Sequence, residues 1–122
     1  MESIESILDQ YKQAAYLHGQ ATLTGEYKKG NRYHDVIIGC YIKLRTTGIE
    51  AVEQLLTLLD NEDDSIATWA ATHLLPYREK RAMEVLTSIS TKPGIIPFNA
   101  QMVLSEWRKG ALTLDYPQYK KK

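Results

Sequence analysis

The sequence has one cysteine, one phenylalanine, four prolines and no net charge, and each scarcity excludes something. A single Cys40 rules out an internal disulfide and a cysteine zinc cluster. No proline precedes position 76, so nothing obliges the first part of the chain to break a helix. With 15 Lys and Arg against 15 Asp and Glu, the chain lacks the basic balance of a dedicated nucleic-acid binder. The longest nearly apolar run, Val36 to Ile42, is far shorter than the ~20 residues of a spanning helix. Acids at Glu2, Glu5 and Asp9, with no basic and apolar regions around them, do not make a signal peptide, and a cytoplasmic protein is the expectation. Gly-x-Ser-x-Gly and glycine-rich phosphate loops are missing, and Cys40 sits on an apolar stripe where a thiol behaves as a small hydrophobe. No catalytic residue, metal site or cofactor is therefore expected.

What is present is enough to fold. Apolar residues make up 43% of 122 residues, and a chain of this length buries roughly two-thirds of its extended surface. Ile4, Ile7, Leu8, Tyr11, Ala14, Ala15, His18 and Thr22 recur at steps of three and four, which predicts one long amphipathic helix with Ser3 as its cap. Gly25 to Gly30 reads as a connector. Asn31 then caps a second helix with Tyr33, Val36, Ile37, Cys40, Tyr41 and Leu44 inward, and Gly48 lies past its end. A third helix covers Ile49 to Asp60, with Val52, Leu55, Leu56 and Leu59 inward. Ser65 or Asp64 caps a fourth, which carries Ile66, Ala67, Ala70, Ala71, Leu74 and Leu75 and ends at Pro76. Ala82, Val85, Leu86 and Ile89 mark a fifth, and a sixth runs from about Pro97 to Lys109. The prediction is all-α, about six helices, in one domain over residues 1–112 with a polar C-terminal tail over 113–122.

The second half repeats. Ala51, Leu55 and Leu58 shift onto Ala82, Leu86 and Ile89, and Ile66, Ala70 and Leu74 onto Ile96, Ala100 and Leu104. Helix pairs that cannot cover their own apolar faces are expected to stack as a short α-solenoid. The run Ile66 to Leu75, with its small pair Ala70 and Ala71, resembles the second helix of a HEAT repeat. The wider pattern of His18, Gly19, Gly25, Tyr27, Asn31, Gly48, the leucines 55 to 59, Trp69, Trp107 and Gly110 resembles a small bacterial HEAT-like family, number two thousand and nineteen among domains of unknown function. That resemblance implies a helical protein of the kind found beside polymorphic toxins. One departure stands out: Ala67 replaces the Arg that such repeats place after the branched residue, leaving the acidic turn before it without that partner.

That acidic turn is the main charge feature. Glu50, Glu53, Asp60, Glu62, Asp63 and Asp64 fall in a stretch with no Lys or Arg, an edge that would attract a basic partner. Carboxylates there also suit helix N-termini. Trp69, Thr72 and His73 follow as neighbours of that edge. The expected function is a non-enzymatic protein-binding module, in its narrower form an immunity protein that covers a basic toxin such as a nuclease. The alternative is a nucleic-acid-binding protein using Lys28, Lys29, Arg32, Lys43 and Arg45, joined by Lys120 to Lys122, with Tyr27 and Tyr33. Tyr11, Tyr33 and Tyr41 are expected in the core. His18 is expected as a hydrogen-bonded core residue, and His34 and Asp35 are expected to point apart.

Overall fold

Helix α1, Ile4–Thr24, begins where the sequence places its cap. In the computed structural model, which describes residues 2–116, Ser3 Oγ accepts the Ser6 N–H at 3.1 Å. Ile7, Tyr11, Ala14 and Ala15 are buried along the predicted stripe, joined by Gly19 and Ala21, while Ile4, Leu8, His18 and Thr22 are half-buried. Left-handed Gly25 (φ 78°) closes the helix, and both its N–H and that of Glu26 reach the Ala21 carbonyl.

The connector is shorter than expected. Helix α2 spans Tyr27–Thr47, so only Gly25 and Glu26 lie between the helices, and Asn31 is an interior residue and not a cap. The extra turn is stabilised by packing: Gly30 is buried close to Ala21 on α1. Inside α2 lie Ile37, Ile38, Cys40, Tyr41 and Leu44. Val36, expected inward, is exposed, and Tyr33 is half-buried.

The third helix is α only over Ile49–Glu53 (α3) and tightens into a 3-10 turn over Gln54–Leu58. A 3-10 helix eclipses residues three apart, so Val52, Leu55 and Leu58 are buried while Leu56 is half-buried. Helix α4, Asp64–Leu74, is capped by Asp63, whose carboxylate accepts the Ile66 N–H at 3.0 Å, and not by Asp64 or Ser65. The chain turns at Pro76 into α5, Glu79–Ser90. Helix α6, Ile95–Arg108, starts two residues before Pro97, which still falls in the first turn where its missing N–H goes unneeded. No strand occurs among the described residues, and no helix is long and apolar enough to cross a membrane.

Helices α1 and α2 fold back as one hairpin; the 3-10 turn with α4, and α5 with α6, form the next two. Helix α4 touches α1, the 3-10 turn, α5 and α6, and all its residues except Asp64 and Trp69 are buried. The internal repeat is a repeat of burial. Ala51 and Ala82, Leu55 and Leu86, Leu58 and Ile89, Ala70 and Ala100, and Leu74 and Leu104 are buried in pairs.

Helices α1 and α4 approach through small residues. A Cβ on Gly19 would stand 2.5 Å from Ser65 Cβ and Oγ, and Ser65 Oγ donates to the Ala15 carbonyl at 2.9 Å. Ser65 is too short to swing clear, so a methyl group here must push the helices apart. Gly19→Ala is expected to destabilise the fold by about 2 kcal/mol despite the better helix propensity of Ala. Urea denaturation measures this; an unchanged midpoint would show that the crossing is not tight.

Candidate functional site

The three histidines, scattered at positions 18, 34 and 73, converge on one ring. His18, His34 and His73 lie 5.3, 5.6 and 5.6 Å from Trp69, centroid to centroid. Trp69 Nε1 donates to His18 Nδ1 at 3.4 Å. Burial, then the neighbouring His34, lowers the His18 pKa. His34 is not turned from Asp35 as expected: their side chains come within 3.8 Å, longer than a hydrogen bond. Among the described residues no three His, Cys, Asp or Glu side chains are grouped to hold a metal ion.

Behind Trp69, His73 is wholly buried. Its ring stacks on Tyr41 at 4.1 Å and 8°, Tyr11 Oη lies 2.6 Å from Nδ1, and Tyr116 Oη lies 2.9 Å from Nε2. A neutral imidazole has one donor and one acceptor, so one tyrosine hydroxyl donates to it and the other accepts. Burial, with smaller contributions from His34 and Arg45, pushes its pKa down to about 3. Tyr11 and Tyr41 are core residues as expected, and burial raises both phenol pKa values.

The expected tail is partly a wall. Leu112 and Tyr116 pack against the core, and Arg45 donates to the carbonyls of Leu114 and Asp115 at 2.8 and 3.2 Å. The same guanidinium lies 5.2 Å from the Tyr41 ring centroid. Tyr116 adopts φ 48°, an unfavourable left-handed conformation for a residue with a Cβ, while its hydroxyl sits on His73. Tyr119 and Lys120 to Lys122 lie outside the described residues.

Between α4, α6 and this wall is a cleft of 340 Å³, lined by His18, Trp69, Thr68, Thr72, Ser65, Ile96, Asn99, Met102, Val103, Leu112, Thr113, Leu114 and Tyr116. Its size is that of a small-molecule or side-chain pocket. Thr72 Oγ1 donates to the Thr68 carbonyl at 2.7 Å and Ser65 is bonded to α1. Thr68 Oγ1, on a residue 8% exposed, has no partner among the described residues. Leaving such a hydroxyl unpaired costs about 1–3 kcal/mol. Met102 carries the lip of the cleft onto the outer face of α6, where Ile95, Phe98 and Met102 are 47%, 53% and 46% exposed on successive turns. Ile95 also lines a second hollow with Leu23, Asp63 and Asp64.

The predicted acidic edge is largely committed within the molecule. Glu53 pairs with Arg78, Asp60 with Arg81 and Asp64 with Lys92, all at 2.8–2.9 Å, and Asp63 caps α4. The partners missing at Ala67 come instead from α5 and the residues flanking it, Arg78 before and Lys92 after. Glu50 and Glu62 are exposed, with no ion pair among the described residues. Of the residues placed beside that edge, Trp69 and Thr72 line the cleft, and His73 lies sealed behind it. The basic segment is engaged in part: Lys29 pairs with Glu26, Lys43 with Glu2, and Arg45 holds the wall, while Lys28 and Arg32 are exposed with no ion pair among the described residues. Trp107, on α6, donates to Glu79 at 2.7 Å, away from the cleft. Thr68 was not singled out by the sequence, and Ser65 only as a candidate cap. The available signal was the spacing of Ser65, Thr68 and Thr72, hydroxyls at steps of three and four on an otherwise apolar helix.

No protein-family model matches the chain, and no curated protein matches it in sequence. In three dimensions it is similar to the crystal structure of the protein RPA1889 from Rhodopseudomonas palustris CGA009, with a TM-score of 0.85 and 18% identity over 93% of this chain and 94% of that one. At that identity the likeness establishes the all-helical fold.

A histidine held neutral has a measurable consequence. The unfolded imidazole takes up its proton near pH 6.5 and the folded one near 3. Between those values the unfolded chain binds more protons, so this contribution is complete above about pH 6.5 and is lost as pH falls toward 3. Lowering the pH from 7 to 4.5 is expected to remove about 2–3 kcal/mol through His73. The loss should be smaller in His73→Gln, as read by urea titrations at both values; equal losses would contradict the assignment.

Proposed function

We propose that the chain is a non-catalytic protein-binding module whose contact surface is the outer face of α6 and the adjoining cleft lip. The observation that carries this is the stripe Ile95, Phe98 and Met102, three large apolar side chains about half exposed on successive turns. Leu23, 61% exposed, adds to its near end, where it shares a hollow with Ile95. Exposed apolar residues gathered on one face mark contact sites more often than single ones do.

Charge supports a basic partner in a reduced form. Asp63 and Asp64 line the hollow at the Leu23 end, and exposed Glu62 precedes them. Because Glu53, Asp60 and Asp64 already have cations, apolar contact is the larger part of the binding energy and the acids act mainly on encounter rate and orientation. Immunity against a basic toxin, which the HEAT-like resemblance implies, is the narrower form of this reading. The nucleic-acid alternative is left with Lys28 and Arg32 exposed and without an ion pair among the described residues, since Lys29, Lys43 and Arg45 are engaged within the chain.

The test is co-purification from the native cell with the wild-type chain and with the double variant Phe98→Glu, Met102→Glu. A single stoichiometric partner should be retained by the wild type and lost by the variant at unchanged helicity. Glu62→Lys should leave the complex intact but slow its association at low salt. A partner held equally by all three proteins would remove the α6 face from the reading.

A further inference from the structure

The cleft beside Trp69 has a chemistry of its own. Among the described residues its lining holds no Asp, Glu, Lys or Arg, and its ionisable groups are His18, whose pKa is lowered, and Tyr116, whose hydroxyl faces His73. An ion entering it would lose hydration and find no counter-charge. Ile96, Met102, Val103, Leu112 and Leu114 supply apolar walls around the indole of Trp69. Within this setting sits one buried polar atom without a partner among the described residues, Thr68 Oγ1. A threonine in mid-helix ordinarily bonds the carbonyl one turn earlier, as Thr72 does to Thr68. Thr68 does not, although it is on the same helix. Thr68 lines the cleft with its hydroxyl sealed in the present rotamer, and a helical threonine has a second χ1 well, which an occupant bonding to it would have to select.

We propose that this cleft is a binding site for a small neutral molecule, mostly apolar and carrying one hydroxyl or carbonyl that bonds to Thr68. The site stands apart from the α6 docking face, sharing only Met102 with it. The apolar walls account for affinity and Thr68 for orientation, as in pockets where a few polar groups fix a largely apolar ligand. An unpaired hydroxyl that weakens the free protein and is satisfied by the ligand is the trade expected of a binding site.

Isothermal titration calorimetry with four simple probes tests this. p-Cresol and 1-hexanol represent aromatic and aliphatic members of the class, toluene lacks the polar group, and p-toluate adds a negative charge. At least one of p-cresol and 1-hexanol should bind with a dissociation constant below about 1 mM, and the tighter one tells whether the natural occupant is aromatic or aliphatic. p-Toluate should bind at least about tenfold more weakly. Thr68→Val keeps the shape and deletes the hydroxyl. It should raise the melting temperature of the free protein and weaken the bound alcohol about fivefold or more, leaving toluene unaffected. Val103→Phe should block every probe, and methyl NMR shifts at Thr68, Val103 and Leu112 of the wild type should locate the bound probe should that variant fail to fold. No saturable binding of either alcohol, equal binding of p-toluate, or equal alcohol affinity in wild type and Thr68→Val would each overturn the proposal. A Thr68→Val variant that gains stability while the wild type binds nothing would leave the hydroxyl as a structural defect only, and the proposal would fall.

Discussion

Helix α4 is packed on every side, and the rest of the structure is arranged around that constraint. A helix apolar around most of its circumference has to be buried, and α4 meets α1, the 3-10 turn, α5 and α6. Its slimness makes this possible. Ala67, Ala70 and Ala71 are buried on it, and Gly19 lets α1 come within contact of Ser65. Close approach in turn leaves little room for water, so the polar groups on α4 must find partners within the protein. Ser65 bonds to Ala15, Thr72 to Thr68, and His73 sits between two tyrosines. Thr68 Oγ1 is the exception, and it borders the cleft.

The same burial explains how the wall after α6 is held. His73 needs a partner on each nitrogen once it is out of water, and Tyr116 supplies the second across the chain. Arg45 anchors the neighbouring carbonyls while lying over the ring of Tyr41, which itself stacks on His73. Core and wall thus share one network of imidazole, phenols and guanidinium, in which the removal of Tyr11 or Tyr116 would leave a nitrogen of buried His73 without its partner.

Charge is distributed for cohesion more than for display. The pairs Glu53 with Arg78, Asp60 with Arg81 and Asp64 with Lys92 join the segment from α3 to the start of α4 to α5 and the residues flanking it. Each has at least one exposed partner and is worth little alone, yet together they neutralise three of the six acids on the edge that the bare sequence suggests. Under the proposals made above, recognition falls to surfaces that charge does not dominate, the α6 stripe and the neutral cleft.

Apolar periodicity by itself determined that the chain is helical, which positions face inward on α1, α4 and α5, and that two helix pairs repeat, because burial at steps of three and four is a property of local sequence. The Ser3 cap was legible for the same reason. Short turns were not: Gly25 and Glu26 suffice where six residues looked like a connector, since Gly30 gains packing against Ala21 that no single-helix pattern contains. Contacts between distant segments were decided only by tertiary structure. Acids without nearby cations in sequence acquired them from the next helix pair, three isolated histidines met at Trp69, and a polar tail became the side of a cleft. Pairing partners and cavities depend on which helices the chain brings together, and that is fixed by the packing around α4 and not by any one stretch of residues.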